Sequence, residues 1–119
     1  MSEDLARLVD DLLGASVEAN LATRKATQQS AQIIRDQARR LAPKTGLPHY
    51  AKSITYETKF AAGGVTADIG PVKGGQGSLG HLLEFGTSRT PPHAHLGPAF
   101  DREVPNYLEA LAKALDPLR

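Results

Sequence analysis

The most informative segment of this 119-residue chain is His81-Leu82-Leu83-Glu84-Phe85-Gly86-Thr87. Its apolar beginning, at 81–85, is typical of a short strand or extended segment. Gly86 ends that segment because glycine accepts backbone conformations closed to other residues. A loop with prolines and histidines follows and leads to Pro98-Ala99-Phe100, where a helix is predicted to begin. We therefore expect an extended segment, a turn and a helix in this order, with Phe85 as a core anchor.

Glu84 closes the apolar run, where a carboxylate is costly to bury without partners. One expectation is that it accepts hydrogen bonds from backbone amides across the following turn. The alternative is an ion pair with a basic residue such as Arg89 or Arg102. If the partner came from an adjacent subunit, Glu84 would fix the register of an assembly.

The first third of the chain predicts one long helix over residues 3–42, in a segment 1–43 that Pro43 ends. Apolar residues recur at three- and four-residue steps along it: Leu5, Leu8, Val9, Leu12, Leu13, Val17, Leu21, Ala26, Ile33, Ile34, Ala38 and Leu41. Forty residues at ~1.5 Å each would reach about 60 Å, longer than a compact domain of this size is wide. The helix therefore either breaks, near Gly14 or around 23–27, or projects to meet another subunit.

Charge is distributed unevenly along this helix. Residues 1–20 hold five carboxylates against Arg7 alone, and residues 21–44 hold six cations against Asp36 alone. One interpretation is complementarity to the helix dipole on solvated faces. The other is that the acidic end of one subunit meets the basic part of another in a head-to-tail ring.

Period-two alternation predicts a β-hairpin, with strands over residues 53–60 and 65–69 and a turn at 61–64. The glycine-rich loop at 70–80 is expected to be mobile from Lys73 to Gly80 in an isolated subunit. A closing helix is predicted over 98–115, kinked or restarted at Pro105. Its apolar stripe consists of Phe100, Val104, Leu108, Leu111 and Leu115.

Little in the sequence favours catalysis. The chain has no cysteine, which excludes disulfides and thiolate chemistry, and no serine lies in a nucleophile elbow. The one candidate metal set is His81, His93 and His95, with Glu84 nearby. A small metal-dependent hydrolase using these histidines is thus one alternative function, but no catalytic residue, metal ligand or cofactor is predicted.

Charge and hydropathy limit the classes of partner that can be expected for this chain. The formal net charge is +1, so no strong field attracts nucleic acid. Arg35, Arg39, Arg40, Lys44 and Lys52 form a local basic patch without aromatic residues that could stack on bases. No stretch approaches the ~18 apolar residues of a membrane span, and no membrane partner is expected.

Two motifs resemble those of the tail-completion, or neck (head–tail joining), proteins of long-tailed bacteriophages. The family's Glu-Phe-Gly-Thr box is matched in full at 84–87. Its Ala-Pro-X-Thr-Gly-X-Leu turn is matched at 42–46, with Leu47 one place early. In the loop that follows the box, His95 stands where the family has phenylalanine. The resemblance implies nine motif or assembly residues: Thr45, Gly46, Glu84, Phe85, Gly86, Thr87, Leu96, Pro98 and Ala99.

The length of 119 residues predicts a single domain, 1–119, and the resemblance implies that its fold is α+β. It consists of a long N-terminal helix, a small antiparallel sheet of three to four strands over 51–86, and a C-terminal helix. The implied function is structural: a ring of six copies at the head–tail junction of the virion, assembled in the host cytoplasm. Its implied partners are neighbouring connector and tail proteins, and DNA passes through without sequence-specific binding. A tail-terminator ring of the same neck is the alternative.

Overall fold

The computed structural model describes residues 2–44, 46–61, 64–72, 74–89 and 91–116. Within these residues the elements, in chain order, are helix α1 (Ser2–Leu41), helix α2 (Tyr50–Ser53), strand β1 (Ile54–Ala61), strand β2 (Gly64–Pro71), a 3₁₀ helix (Gly75–Leu79), helix α3 (Gly80–Phe85) and helix α4 (Leu96–Ala114). The fold mixes helix and sheet, with a helix at each end of the chain. None of the helices formed by the described residues combines the length and apolar content that a bilayer span requires.

Helix α1 runs without a break through Gly14 and through 23–27, so of the two alternatives for this helix the structure shows the continuous one. The molecule is accordingly elongated, at 73 × 25 × 22 Å. Helix α4 packs antiparallel against the C-terminal part of α1, since Ala99 joins the core around Ile34 and the hydroxyls of Thr27 and Tyr107 lie 2.6 Å apart. From this register Ala114, the last residue of α4, lies at the level of about residue 20 of α1. We call residues 2–17, which extend past α4, the arm.

The β-hairpin is present as the alternation predicted. Strands β1 and β2 pair antiparallel, with Tyr56 opposite Ile69. The hairpin lies along α1, because Nε of Arg39 donates a hydrogen bond to the carbonyl of Ile54 (2.9 Å) and the guanidinium of Arg24 lies 4.8 Å from the Phe60 ring centre. The described residues form two strands, not the three to four expected.

The predicted extended segment at 81–85 is instead helix α3. An apolar run this short does not distinguish strand from helix by its period, and leucine and glutamate are good helix formers. The change has a consequence for Phe85. In a helix, residues four apart share a face, so Phe85 lies beside the ring of His81 (5.0 Å between centres) and is 68% exposed. The prediction of a core anchor at Phe85 was wrong.

The core lies at the C-terminal end of α1, where short elements gather around it. Its buried residues are Ile34, Ala38, Ala42, Tyr50, Ile54 and Ala99, with Leu83, Leu96 and Phe100 packed against them. Helix α4 packs through the face that carries Ala99, Glu103 and Ala114, which are buried. Of its predicted apolar stripe, Phe100 packs against the core, whereas Leu108 is 58% exposed. The helix continues through Pro105.

The glycine-rich loop is partly folded, into the 3₁₀ helix. Gly77 is buried there, and a side chain on it would collide with the carbonyl oxygen of Val72. This glycine thus serves close backbone packing. The predicted mobility of 73–80 stays a prediction, and Lys73 lies outside the described residues.

We expect Gly77→Ala to lower the free energy of unfolding by about 1–3 kcal/mol, because the added methyl group forces the backbone apart. Gly14→Ala is the matched control: nothing lies within 4 Å of its would-be side chain. That exposed helical position should gain up to about 1 kcal/mol. Urea unfolding followed by circular dichroism measures both, and equal effects would contradict the close packing at Gly77.

Candidate functional site

The carboxylate of Glu84 caps the N-terminus of α4. Its Oε1 accepts hydrogen bonds from the backbone N–H groups of His95 (3.0 Å) and Leu96 (2.8 Å), and its Oε2 from that of Gly97 (3.1 Å). The first N–H groups of a helix lack partners within it, and the helix dipole favours an anion there. Of the two alternatives for Glu84, the structure shows the backbone amides, reached across the whole 86–94 connection.

His95 extends this contact into the core. Its side chain is fully buried, with Nδ1 lying 3.1 Å from Oε1 of Glu84 and 2.9 Å from the carbonyl oxygen of His93. Its Nε2 lies 2.6 Å from the hydroxyl of Tyr50, which is buried as well. Both neighbours of Nδ1 are acceptors, so Nδ1 carries a proton, and in the neutral imidazole Nε2 then accepts from the tyrosine hydroxyl. The result is a continuous polar chain, Glu84–His95–Tyr50, inside the protein.

Burial and hydrogen bonding shift two pKa values in this chain. Burial, together with the charge of Glu84, raises the pKa of Tyr50 to about 12. Burial also acts to raise the pKa of Glu84, but the three backbone N–H groups and His95 outweigh it, and that pKa falls below its ordinary value. Glu84 is therefore ionised and Tyr50 protonated at neutral pH, which matches the hydrogen-bond roles above.

His93 makes a second connection beside the first. Its backbone N–H donates to the carbonyl of Leu83 (2.7 Å), and its Nε2 donates to the carbonyl of Leu41 (2.9 Å). The residue thus ties the end of α1 to α3. The imidazoles of His93 and His95 serve separate backbone and core contacts, and the described residues contain no group of three or more His, Asp or Glu that could hold a metal ion. The geometry gives the hydrolase alternative no support.

The predicted motif residues fall into two places. Glu84, Leu96 and Ala99 meet at the start of α4, with Ala99 buried, Leu96 against the core and Pro98 exposed on the helix's first turn. Gly46 lies in a separate turn before α2, and Thr45 lies outside the described residues.

Gly86 and Thr87 end α3. Gly86 has φ +74° and ψ −178°, a conformation essentially restricted to glycine. Oγ1 of Thr87 accepts a hydrogen bond from the N–H of Arg89 (3.2 Å). The predicted turn at Gly86 is therefore present.

No sequence pattern indicated a role for Tyr50, because a tyrosine that precedes a strand belongs to no recognisable motif. The predicted basic patch is also partly engaged internally, since Arg35 pairs with Asp36 (2.9 Å) and Arg39 binds the carbonyl of Ile54.

Phe85 borders a depression on the surface beside the capping contact. Its lining includes Pro71, His81, Phe85, Leu96 and the edge of Glu84. It has a volume of about 340 Å³ and its walls are largely apolar. We refer to it as the Phe85 depression; it is large enough for apolar side chains of another molecule.

Comparison with known protein families supports the resemblance that the motifs indicated. Residues 3–86 match the family described as "Bacteriophage HK97-gp10, putative tail-component", which covers more than two thirds of the chain. The chain belongs to this HK97-gp10-like family. It is thereby grouped with the structural components of phage tails, which are virion proteins. The searches of curated proteins and of solved structures gave no match.

We expect Glu84→Gln to lower the free energy of unfolding by about 2 kcal/mol at neutral pH, because the helix loses its anionic cap. Folding lowers the pKa of Glu84. The stabilisation is therefore complete above the ordinary carboxyl range and is lost as the pH falls through the folded-state value. The difference between wild type and variant should therefore be full at neutral pH and smaller at an acidic pH well below the ordinary carboxyl range. Urea unfolding at both pH values measures this.

The matched control is Glu57→Gln on the exposed side of β1, which should change stability by less than about 0.5 kcal/mol. A Glu84→Gln effect independent of pH would contradict the ionised cap.

We expect Tyr50→Phe to lower stability by about 1–3 kcal/mol, since Nε2 of buried His95 loses its donor. Tyr56→Phe is the control, because a phenyl ring retains the stacking on Arg35, whose guanidinium lies 5.0 Å from the ring centre. Thermal unfolding of the two variants measures the contrast. Equal losses would show that the Tyr50–His95 contact does not stabilise the fold.

Proposed function

We propose that this protein forms an oligomeric ring, of six copies, in the neck of the phage particle. There it completes the tail or the head–tail connector and leaves a channel through which DNA passes. The observation that carries the proposal is membership of the tail-component family over residues 3–86. The Glu-Phe-Gly-Thr box at 84–87, shared with neck proteins, supports the specific position at the junction.

The surface of the subunit supports assembly. Twelve large apolar side chains among the described residues are more than a third exposed, with examples on α1, α3 and α4. Burial of such side chains against neighbouring subunits would stabilise an assembly. The elongated shape, 73 Å in its longest dimension, places such residues at both ends of the subunit.

The polar chain Glu84–His95–Tyr50 fits a structural role better than a catalytic one. Tyr50 and His95 are fully buried, so no substrate reaches their polar atoms. Each polar atom of the chain is satisfied by another protein group, as in a core that is fixed by hydrogen bonds. The near-neutral net charge of +1 also suits a channel that does not retain DNA.

A phage lacking this gene tests the proposal. We expect filled heads and tails to accumulate separately, and infectious particles to return when the wild-type protein is added to the extract. Crosslinking in the intact particle then identifies the neighbours. Contacts with the connector support tail completion, whereas contacts with the tail tube alone favour the tail-terminator alternative. Joined, infectious particles formed without the protein would refute both.

A further inference from the structure

The two ends of the subunit carry opposite charge. At the arm end, the sequence over residues 1–20 has five carboxylates and one arginine. At the other end, around α2, α3 and the start of α4, the described residues 40–53 and 71–98 contain four cations and one carboxylate. That carboxylate is Glu84, which is already bonded to three backbone N–H groups and to His95. Arg40, Lys44 and Lys52 are exposed there.

The arm extends past the last residue of α4, and those of its side chains that the structure describes are all exposed. Leu5 is 63% and Val17 60% exposed. The arm's sixteen residues form about 24 Å of helix. An isolated helix of this length is marginal in water. A partner that covers its apolar residues would therefore stabilise it.

The Phe85 depression offers such a cover at the opposite end. Phe85 is 68% exposed and contributes an apolar wall together with Pro71 and Leu96. His93 fixes α3 against the C-terminal end of α1, through its contacts with Leu83 and Leu41, so the depression and the exposed cations share one end of the molecule. This end therefore offers an apolar surface to the arm and carries the opposite charge.

We propose that the arm of one copy docks on the Phe85 depression of the next copy, head to tail. This inference rests on the proposed ring and names the surfaces that build it. Because the two surfaces lie at opposite ends, every subunit donates its own arm to one neighbour and receives the arm of the other. Such head-to-tail, or heterologous, contacts form a ring when the rotation between subunits closes. Attraction between opposite charges orients the arm, and burial of Leu5, Val17 and Phe85 stabilises the contact.

Three variants test the docking in the full-length protein. The arm variant carries Leu5→Asp and Val17→Asp, and the depression variant carries Phe85→Asp. The control, Leu108→Asp, replaces a leucine of similar exposure (58%) on α4, outside both surfaces. All sites are exposed, so circular dichroism should show unchanged folding. Sedimentation velocity across concentration then measures association.

We expect the arm and depression variants each to associate at least tenfold more weakly than wild type, and the control to associate like wild type. Mixed together, the two variants should form a dimer that does not grow, because one intact arm meets one intact depression. Raising the salt concentration toward 1 M, where the Debye length is about 3 Å, should weaken wild-type association.

Other outcomes overturn the docking. A depression variant that still dimerises by itself would show arm-to-arm pairing. If the wild type associates and only the Leu108→Asp variant associates more weakly, the contact between copies lies on α4. A wild-type chain that stays monomeric at every concentration would refute docking between copies, while the particle experiment judges the neck role independently.

Discussion

The contact between the Glu84 carboxylate and the N-terminus of α4 holds the folded end of the molecule together. One side chain accepts hydrogen bonds from three backbone N–H groups at the start of a helix that begins twelve residues later, and so joins the two ends of the 86–94 connection. Through His95 the same carboxylate is linked to Tyr50, which belongs to α2. One polar chain thus joins α2, α3, the 86–94 connection and the start of α4. The apolar residues of the core around it are mostly alanine and isoleucine.

This concentration of contacts divides the subunit in two. The C-terminal end of α1 carries the core, the hairpin and the short helices, whereas the arm extends as a single helix beyond α4. The alanines of α1 and α4 allow a close helix–helix approach but leave the larger residues of α4, such as Leu108, on the surface. A small chain with few aromatic residues thus buries its small side chains and exposes many large ones. Such a surface suits a protein that completes its burial in an assembly.

Sequence patterns predicted those features that depend on neighbours in the chain. The hairpin follows from strict alternation around a glycine-containing turn, and α1 from its apolar period and Pro43. Residues 81–85 were misassigned because a five-residue apolar run fits either period and only its tertiary contacts decide. Phe85 was misplaced for the same reason. Tyr50 was missed because its role depends on His95, forty-five residues away. The hydrogen bonds from backbone N–H groups to Glu84 were predicted only as one of two alternatives.

The four residues of the box at 84–87 can now be separated by what each does in this subunit. Glu84 caps α4, Gly86 supplies a backbone conformation that other residues avoid, and Thr87 accepts a hydrogen bond from the following turn. Phe85 differs, since its ring contacts His81 at the surface and remains mostly exposed. The other three residues of the box have structural roles, whereas the exposed Phe85 ring contributes little to the stability of its own subunit. Hydrogen bonds of Glu84 and of the Leu83 carbonyl hold α3 in place, however, and so place Phe85 beside the depression. An aromatic side chain at an apolar depression is an arrangement that favours binding another protein.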